Sequence, residues 1–121
     1  MFTHIHFDTI PATDLERARD FYRDKLGFEV ERDEPYGDTR WIFMRIPGAD
    51  TMLHFDKQPS VPETTTPVLV LATGDVDAAC KTLQSRGVAI KQGPADAPWN
   101  PGTRWAMIDD REGNLVLIQS I

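Results

Sequence analysis

Apolar positions along the chain keep two rhythms. Leu15, Ala18 and Tyr22 stand at i, i+3 and i+7, and Val76, Ala79 and Leu83 repeat that spacing, so each set makes one apolar stripe on a helix. Thr13 and Glu16 have capping-box spacing at the first helix start, and Gly27 and Gly87 stand where a helix end favours a left-handed residue. Strand-like runs surround both helices. Ile5–Ala12 precedes the first, and Phe28–Glu31, Trp41–Ile46 and Thr51–Phe55 follow it. Pro67–Ala72 precedes the second, and Val88–Lys91, Arg104–Ile108 and Leu115–Gln119 follow. Arg40-Trp41 is echoed by Arg104-Trp105, and a Gly-containing turn precedes each last strand (Pro47-Gly48; Glu112-Gly113-Asn114). The chain therefore reads as an α+β fold of two tandem βαβββ modules. Module one covers residues 1–58 and module two 67–121, joined by a linker over 57–67 with three Pro and three Thr.

Modules this small bury too little surface to be stable alone, so they are expected to pair as a single domain. One helix covers one face of each sheet. The other face, rich in Trp and Phe, must be covered by the second module, a second chain or a ligand, and a cleft between curved sheets is expected on that ground.

Composition narrows the classes. Thirteen Lys+Arg against 19 Asp+Glu give a net charge of -6, and Lys/Arg never cluster, which argues against nucleic acid and anionic membrane partners. The one cysteine, Cys80, rules out a disulfide within the chain and reads as a structural residue of the second helix. No apolar stretch is long enough to span a membrane, and Met1–Pro11 lacks the features of a signal peptide, so a cytoplasmic location is expected.

Three segments, in this order, carry a family resemblance across almost the whole chain. They are Thr13–Tyr22 with Leu26-Gly27-Phe28, then Gly74–Ala79, then Asp109-Asp110-Arg111-Glu112-Gly113-Asn114. With the doubled βαβββ order, they resemble the vicinal oxygen chelate superfamily, which includes glyoxalase I, extradiol dioxygenases and bleomycin-resistance proteins. In metal-dependent relatives, the first and last strands of each module supply four ligands to a divalent ion. The resemblance maps those positions onto Phe7, His54, Val68 and Leu117. Three of the four offer no lone pair to a cation, so no metal or other cofactor is expected. A one-residue slip of the first strand would present His4 or His6 instead of Phe7. Asp8 raises that question, because the unslipped register puts it on the helix-facing side with Ile10 and Ala12. Gln119 is then all the second module offers.

His54 should point into the cleft, where it reads either as an acid/base or hydrogen-bonding group or as an imidazole satisfied by a neighbour. His4 and His6 share a strand face and read as solvent-facing or dimer-edge residues. Trp41, Trp105, Phe43 and Met107 read as core one by one and as a pocket lining as a set. Trp99, in the loop Pro98-Trp99-Asn100-Pro101-Gly102, reads as a ligand lid or dimer contact. The segment resembles the Pro-Trp-Gly of bleomycin-resistance proteins, where the Trp helps sandwich the drug. Asp33, Glu34 and Asp38 read as a solvated loop around Tyr36, or else as an acidic rim for a cationic ligand.

The expected function is binding of a small aromatic or cationic molecule between the modules, by a homodimer. Phe7, Trp41, Phe43, Trp99, Arg104, Trp105 and Leu117 would line the site, and His54 with Arg104 would orient the ligand. The alternative is a glyoxalase-type lyase, isomerase or dioxygenase. It would hold a metal through His54 and a first-strand His, or work metal-free with His54 as base and Arg45 or Arg104 stabilising an enolate.

Overall fold

A computed structural model describes residues 1–121. The chain forms two compact units, Met1–Val61 and Pro62–Ile121, with the same element order. The first contains β1 (Phe7–Ala12), α1 (Leu15–Asp24), β2 (Glu29–Tyr36), β3 (Thr39–Arg45) and β4 (Met52–Lys57). The second contains β5 (Leu69–Thr73), α2 (Val76–Ser85), β6 (Ile90–Asp96), β7 (Arg104–Asp109) and β8 (Leu115–Ser120). Strand order is β1-β4-β3-β2 in one sheet and β5-β8-β7-β6 in the other, with β1–β4 and β5–β8 parallel and the remaining pairs antiparallel. The α+β architecture of two βαβββ modules is the one the repeat implies. No helix is long and apolar enough to cross a membrane.

In the first unit, α1 buries Leu15, Ala18, Phe21 and Tyr22 against its sheet. Tyr22 is fully buried, its ring 5.5 Å from that of Phe28 and 5.3 Å from that of Phe55. From the strands, Ile10, Ala12, Ile42, Met44, Leu53 and Phe55 complete this core. In the second unit Val76, Cys80 and Leu83 meet Ala106, Ile108, Val116 and Ile118. Cys80, at i+4, completes the stripe, and Ala79 at i+3 is half-buried.

Local details differ from the sequence reading in three places. The first helix is capped by Asp14, whose carboxylate accepts from the Arg17 N–H at 3.0 Å, so the capping-box pair Thr13–Glu16 is out by one residue. Thr13 instead accepts from the Arg17 guanidinium at 3.0 Å. Strands β2 and β6 run well past the short runs expected of them, to Tyr36 and Asp96, and in β2 the added charges Arg32, Asp33 and Glu34 are all ion-paired. Asp33 and Glu34 accordingly lie within β2, not in a loop, and the hairpin turn is confined to Gly37-Asp38.

Register settles the first strand. Phe7 pairs with Met52 and Thr9 with His54, so Ile10 and Ala12 go beneath the helix, and Asp8 is exposed at the strand's start. A slipped register is not what forms, since it would expose Ile10 and Ala12 together.

Gly93 sits at an irregularity of the β6–β7 pairing with φ +78°, and a Cβ there would lie 2.6 Å from the Trp105 carbonyl oxygen. Gly48 has φ +82° with open space around it. Gly48→Ala should therefore cost about 1–2 kcal/mol, the left-handed penalty alone. Gly93→Ala should cost about 3 kcal/mol or more, because backbone must also move. Urea midpoints of the two variants measure the difference, and equal losses would contradict it.

Candidate functional site

Side chains of the first sheet alternate. With Leu53 and Phe55 directed at α1, the other face of β4 carries Met52, His54 and Asp56. Phe43 of β3 pairs with His54, Trp41 lies two residues before it, and Phe7 comes from β1. The rings meet. Phe7 is 5.0 Å from Phe43 and 5.7 Å from His54, while Phe43 is 4.9 Å from His54 and 5.5 Å from Trp41. Tyr36 continues the row, 5.5 Å from Trp41. Phe43 is buried by its neighbours, whereas Phe7 and Trp41 remain 41% and 38% exposed. Four of the expected site residues, Phe7, Trp41, Phe43 and His54, thus form one continuous aromatic surface.

Two cavities open along this surface and share Trp41 as a wall. One, of about 470 Å³, lies at the strand ends beside the start of α1 and is bounded by Leu15, Arg40 and Phe55 as well as by Tyr36, Trp41, His54 and Asp56. The other, of about 450 Å³, is bounded by Phe7, Trp41, Phe43, Met52, Arg32 and Arg45. Each is large enough for a small aromatic molecule.

Burial among the rings lowers the His54 pKa below the usual imidazole value, with Asp56 opposing the shift. The ring is therefore neutral at pH 7. Its Nδ1 shares a hydrogen bond with the Thr9 hydroxyl at 3.1 Å, which leaves Nε2 as the unshared polar atom of the ring.

Charges around the site are mostly spoken for. Burial pushes the Asp33 carboxyl up, but hydrogen bonds from Arg19 (2.6 Å) and Arg40 (2.7 Å) and their charges outweigh it and hold the pKa below the ordinary value. Asp33 therefore ties α1 to β3 and is no part of an acidic rim. Arg45 donates to Glu31 and to the carbonyls of Ala49 and Asp50. Arg32 lies over Trp41, 5.2 Å from the ring centroid, and pairs with Glu34 at 3.2 Å.

Of the expected residues in the second unit, Trp105 and Leu117 lie on the sheet face away from α2, Trp105 paired with Gln119 and Leu117 with Met107. Trp99 is 54% exposed in the loop before β7, its ring 5.8 Å from that of Trp105. Arg104 goes the other way. Its guanidinium makes two hydrogen bonds to Asp77 of α2, at 2.9 and 3.1 Å, and pairs with Asp96 at 3.3 Å. Asp77 thereby raises the Arg104 pKa and is itself lowered. Alternation explains the separation, since Arg104 is in phase with the buried Ala106 and Ile108 and out of phase with Trp105. The orienting role expected of Arg104 falls to a residue engaged against its own helix.

His4 and His6 are exposed, their rings 6.2 Å apart, and His6 is 5.8 Å from Phe7. No three His, Cys, Asp or Glu side chains gather where they could hold a metal ion. The positions that the superfamily uses for its ion carry a phenyl ring at Phe7, beside His54, and aliphatic side chains at Val68 and Leu117. That donor set does not fit a divalent cation.

Sequence reasoning missed Arg32 and Thr9. Neither residue belongs to a motif or to the internal repeat. Pairing with β4 would have found Thr9 had the register been known.

A doubled βαβββ chain with this aromatic surface is a member of the Glyoxalase/Bleomycin resistance protein/Dioxygenase superfamily, whose family model matches residues 2–118. Among solved structures it is similar to TnmS3, an antibiotic binding protein from Streptomyces sp. CB03234, with 38% identity and a TM-score of 0.84, covering 98% of this chain and 96% of that one. A glyoxalase/bleomycin resistance protein from the same Streptomyces strain is also 38% identical, with a TM-score of 0.76 over 95% of this chain and 98% of that one. Uncharacterized protein YurT of Bacillus subtilis is 28% identical over 91% of this chain and 93% of its own length.

Because the folded His54 titrates below its unfolded value of 6.5, the unfolded chain takes up a proton that the folded chain resists. The contribution is absent at neutral pH and destabilises the fold as pH falls below 6.5. His54→Gln should flatten the decline in urea midpoint between about pH 7 and about pH 5. An unchanged slope would mean that burial is not what governs this ring.

Proposed function

We propose that the chain binds a small aromatic molecule on the Phe7–Phe43–His54–Trp41 surface, without a metal ion. The observation that carries this reading is the continuous row of rings bordering two cavities that share Trp41. Flat faces and edges at 5 to 6 Å spacing suit stacking and edge contacts with a planar guest. Likeness to an antibiotic binding protein supports a drug-like ligand of that kind. The cationic alternative has less behind it, because Glu31 and Glu34 beside the rings are already paired with Arg45 and Arg32, which leaves Asp56, hydrogen-bonded by Gln58, as the one carboxylate on that face without an arginine.

A neutral His54 offers hydrogen bonding at its Nε2 and fixes the guest's orientation. The enzyme reading needs His54 and a first-strand His on one ion. Phe7 counts against that, since its ring stands beside both, 5.7 Å from His54 and 5.8 Å from His6. A homodimer in which a second copy helps to cover the surface remains part of this proposal.

Purified protein should hold far less than one equivalent of metal, and nickel, zinc, manganese or ferrous iron should leave its melting temperature unmoved. Stoichiometric metal, lost in His54→Ala, would instead establish the enzyme reading. A panel of aromatic antibiotics should include compounds that raise the melting temperature, and Trp41→Ala should weaken their binding at least about tenfold. If no compound shifts the wild type, or if Trp41→Ala binds as well, the aromatic surface is not the binding site.

A further inference from the structure

We infer that Arg32 is a specificity-determining residue of this surface, selecting aromatic ligands that carry an anionic or strongly accepting oxygen over aromatic cations. The inference rests on the aromatic-binding reading above and adds the ligand's chemistry to it.

The pairing of β2 with β3 shifts between Val30 and Arg32. Val30 pairs with Met44, on the helix side, and Arg32 already pairs with Phe43, on the aromatic side. One extra residue, Glu31, is inserted, so two consecutive side chains serve the aromatic face where regular alternation would permit one. Glu31 reaches Arg45 at 3.2 Å, and Arg32 reaches the ring of Trp41. Bulges beside binding sites re-aim side chains in this way.

The two residues then part in role. Glu31 is held by Arg45, whose own guanidinium is anchored by the carbonyls of Ala49 and Asp50 at 2.9 Å each. That carboxylate is neutralised in place. Arg32 meets only an exposed carboxylate, Glu34, at 3.2 Å, and the face of Trp41. A guanidinium stacked on a ring keeps its N–H edge available, and its planar fork fits a carboxylate or phenolate better than an ammonium would. The cavity bounded by Phe7, Trp41 and Phe43 is lined by Glu31 as well, whose carboxylate Arg45 holds, and it presents in Arg32 a guanidinium with donors to spare. An aromatic acid gains a charge-assisted hydrogen bond there, and an aromatic cation meets like charge. This preference runs against the chain's net charge of -6, so it cannot arise from overall electrostatics.

The test uses the intact protein and three probes of matched shape: naphthoate, naphthylmethanol and naphthylmethylammonium. Dissociation constants come from calorimetry, and the Trp41 indole N–H resonance reports whether each probe occupies this surface. Naphthoate should bind about tenfold more tightly than the ammonium, as expected for one charge-assisted contact. Arg32→Gln should bring the two to parity, and Arg32→Lys should restore part of the preference. Arg23→Gln, which removes the same charge from an exposed site on α1, should leave the ratio intact. Equal or tighter binding of the ammonium, or a ratio untouched by Arg32→Gln, overturns the inference while leaving aromatic binding standing. If none of the three probes moves the Trp41 resonance, the aromatic-binding reading falls and takes the inference with it.

Discussion

The helix of each unit packs on one face of a four-stranded sheet, and the strands' own side chains make up the other face. In the first unit α1 supplies Leu15, Ala18, Phe21 and Tyr22 to one side, and the strand period of two sends every second residue to the opposite side. Phe7, Trp41, Phe43 and His54 are that opposite set. Phe43 is buried without any help from the helix, because three neighbouring rings close around it. The aromatic surface is thus a by-product of how the unit achieves a core. A change that weakened packing beneath α1 would disturb the alignment of rings above it.

Charge follows the same division. Arg40 and Arg104 occupy equivalent positions before Trp41 and Trp105, and both turn toward the helix side of their sheets. Arg40 joins Arg19 on Asp33, and Arg104 joins Asp77 directly, so each unit fastens helix to sheet with an arginine and an aspartate. These pairs are partly exposed, and their worth lies in orientation more than in net stability. By consuming Asp33, the first of them leaves the aromatic face with a different electrostatic character from the one suggested by the acidic composition.

Much of the aromatic face could be read from the chain, and what could not has a definite cause. His54, Phe43 and Trp41 were legible because alternation and the internal repeat assign them to one face. Arg104 stands one residue out of phase with Trp105, and its guanidinium goes to Asp77 on the helix side. Arg32 was illegible: its orientation depends on the bulge at Glu31, and nothing in Glu29–Tyr36 marks where pairing will shift. Asp33 looked like part of a loop because its two partners lie 14 residues before it and seven after.

The sequence by itself determined the doubled module, the helix stripes and the identity of the rings available to a ligand, because these depend on local periodicity and on repetition along the chain. The tertiary structure alone decided the strand register at Phe7 and Thr9, the commitment of Asp33 and Arg45, and the turn of Arg32 over Trp41. Those features depend on which strands lie side by side and how they are offset. Such offsets follow from packing a whole sheet against its helix, so no single segment encodes them.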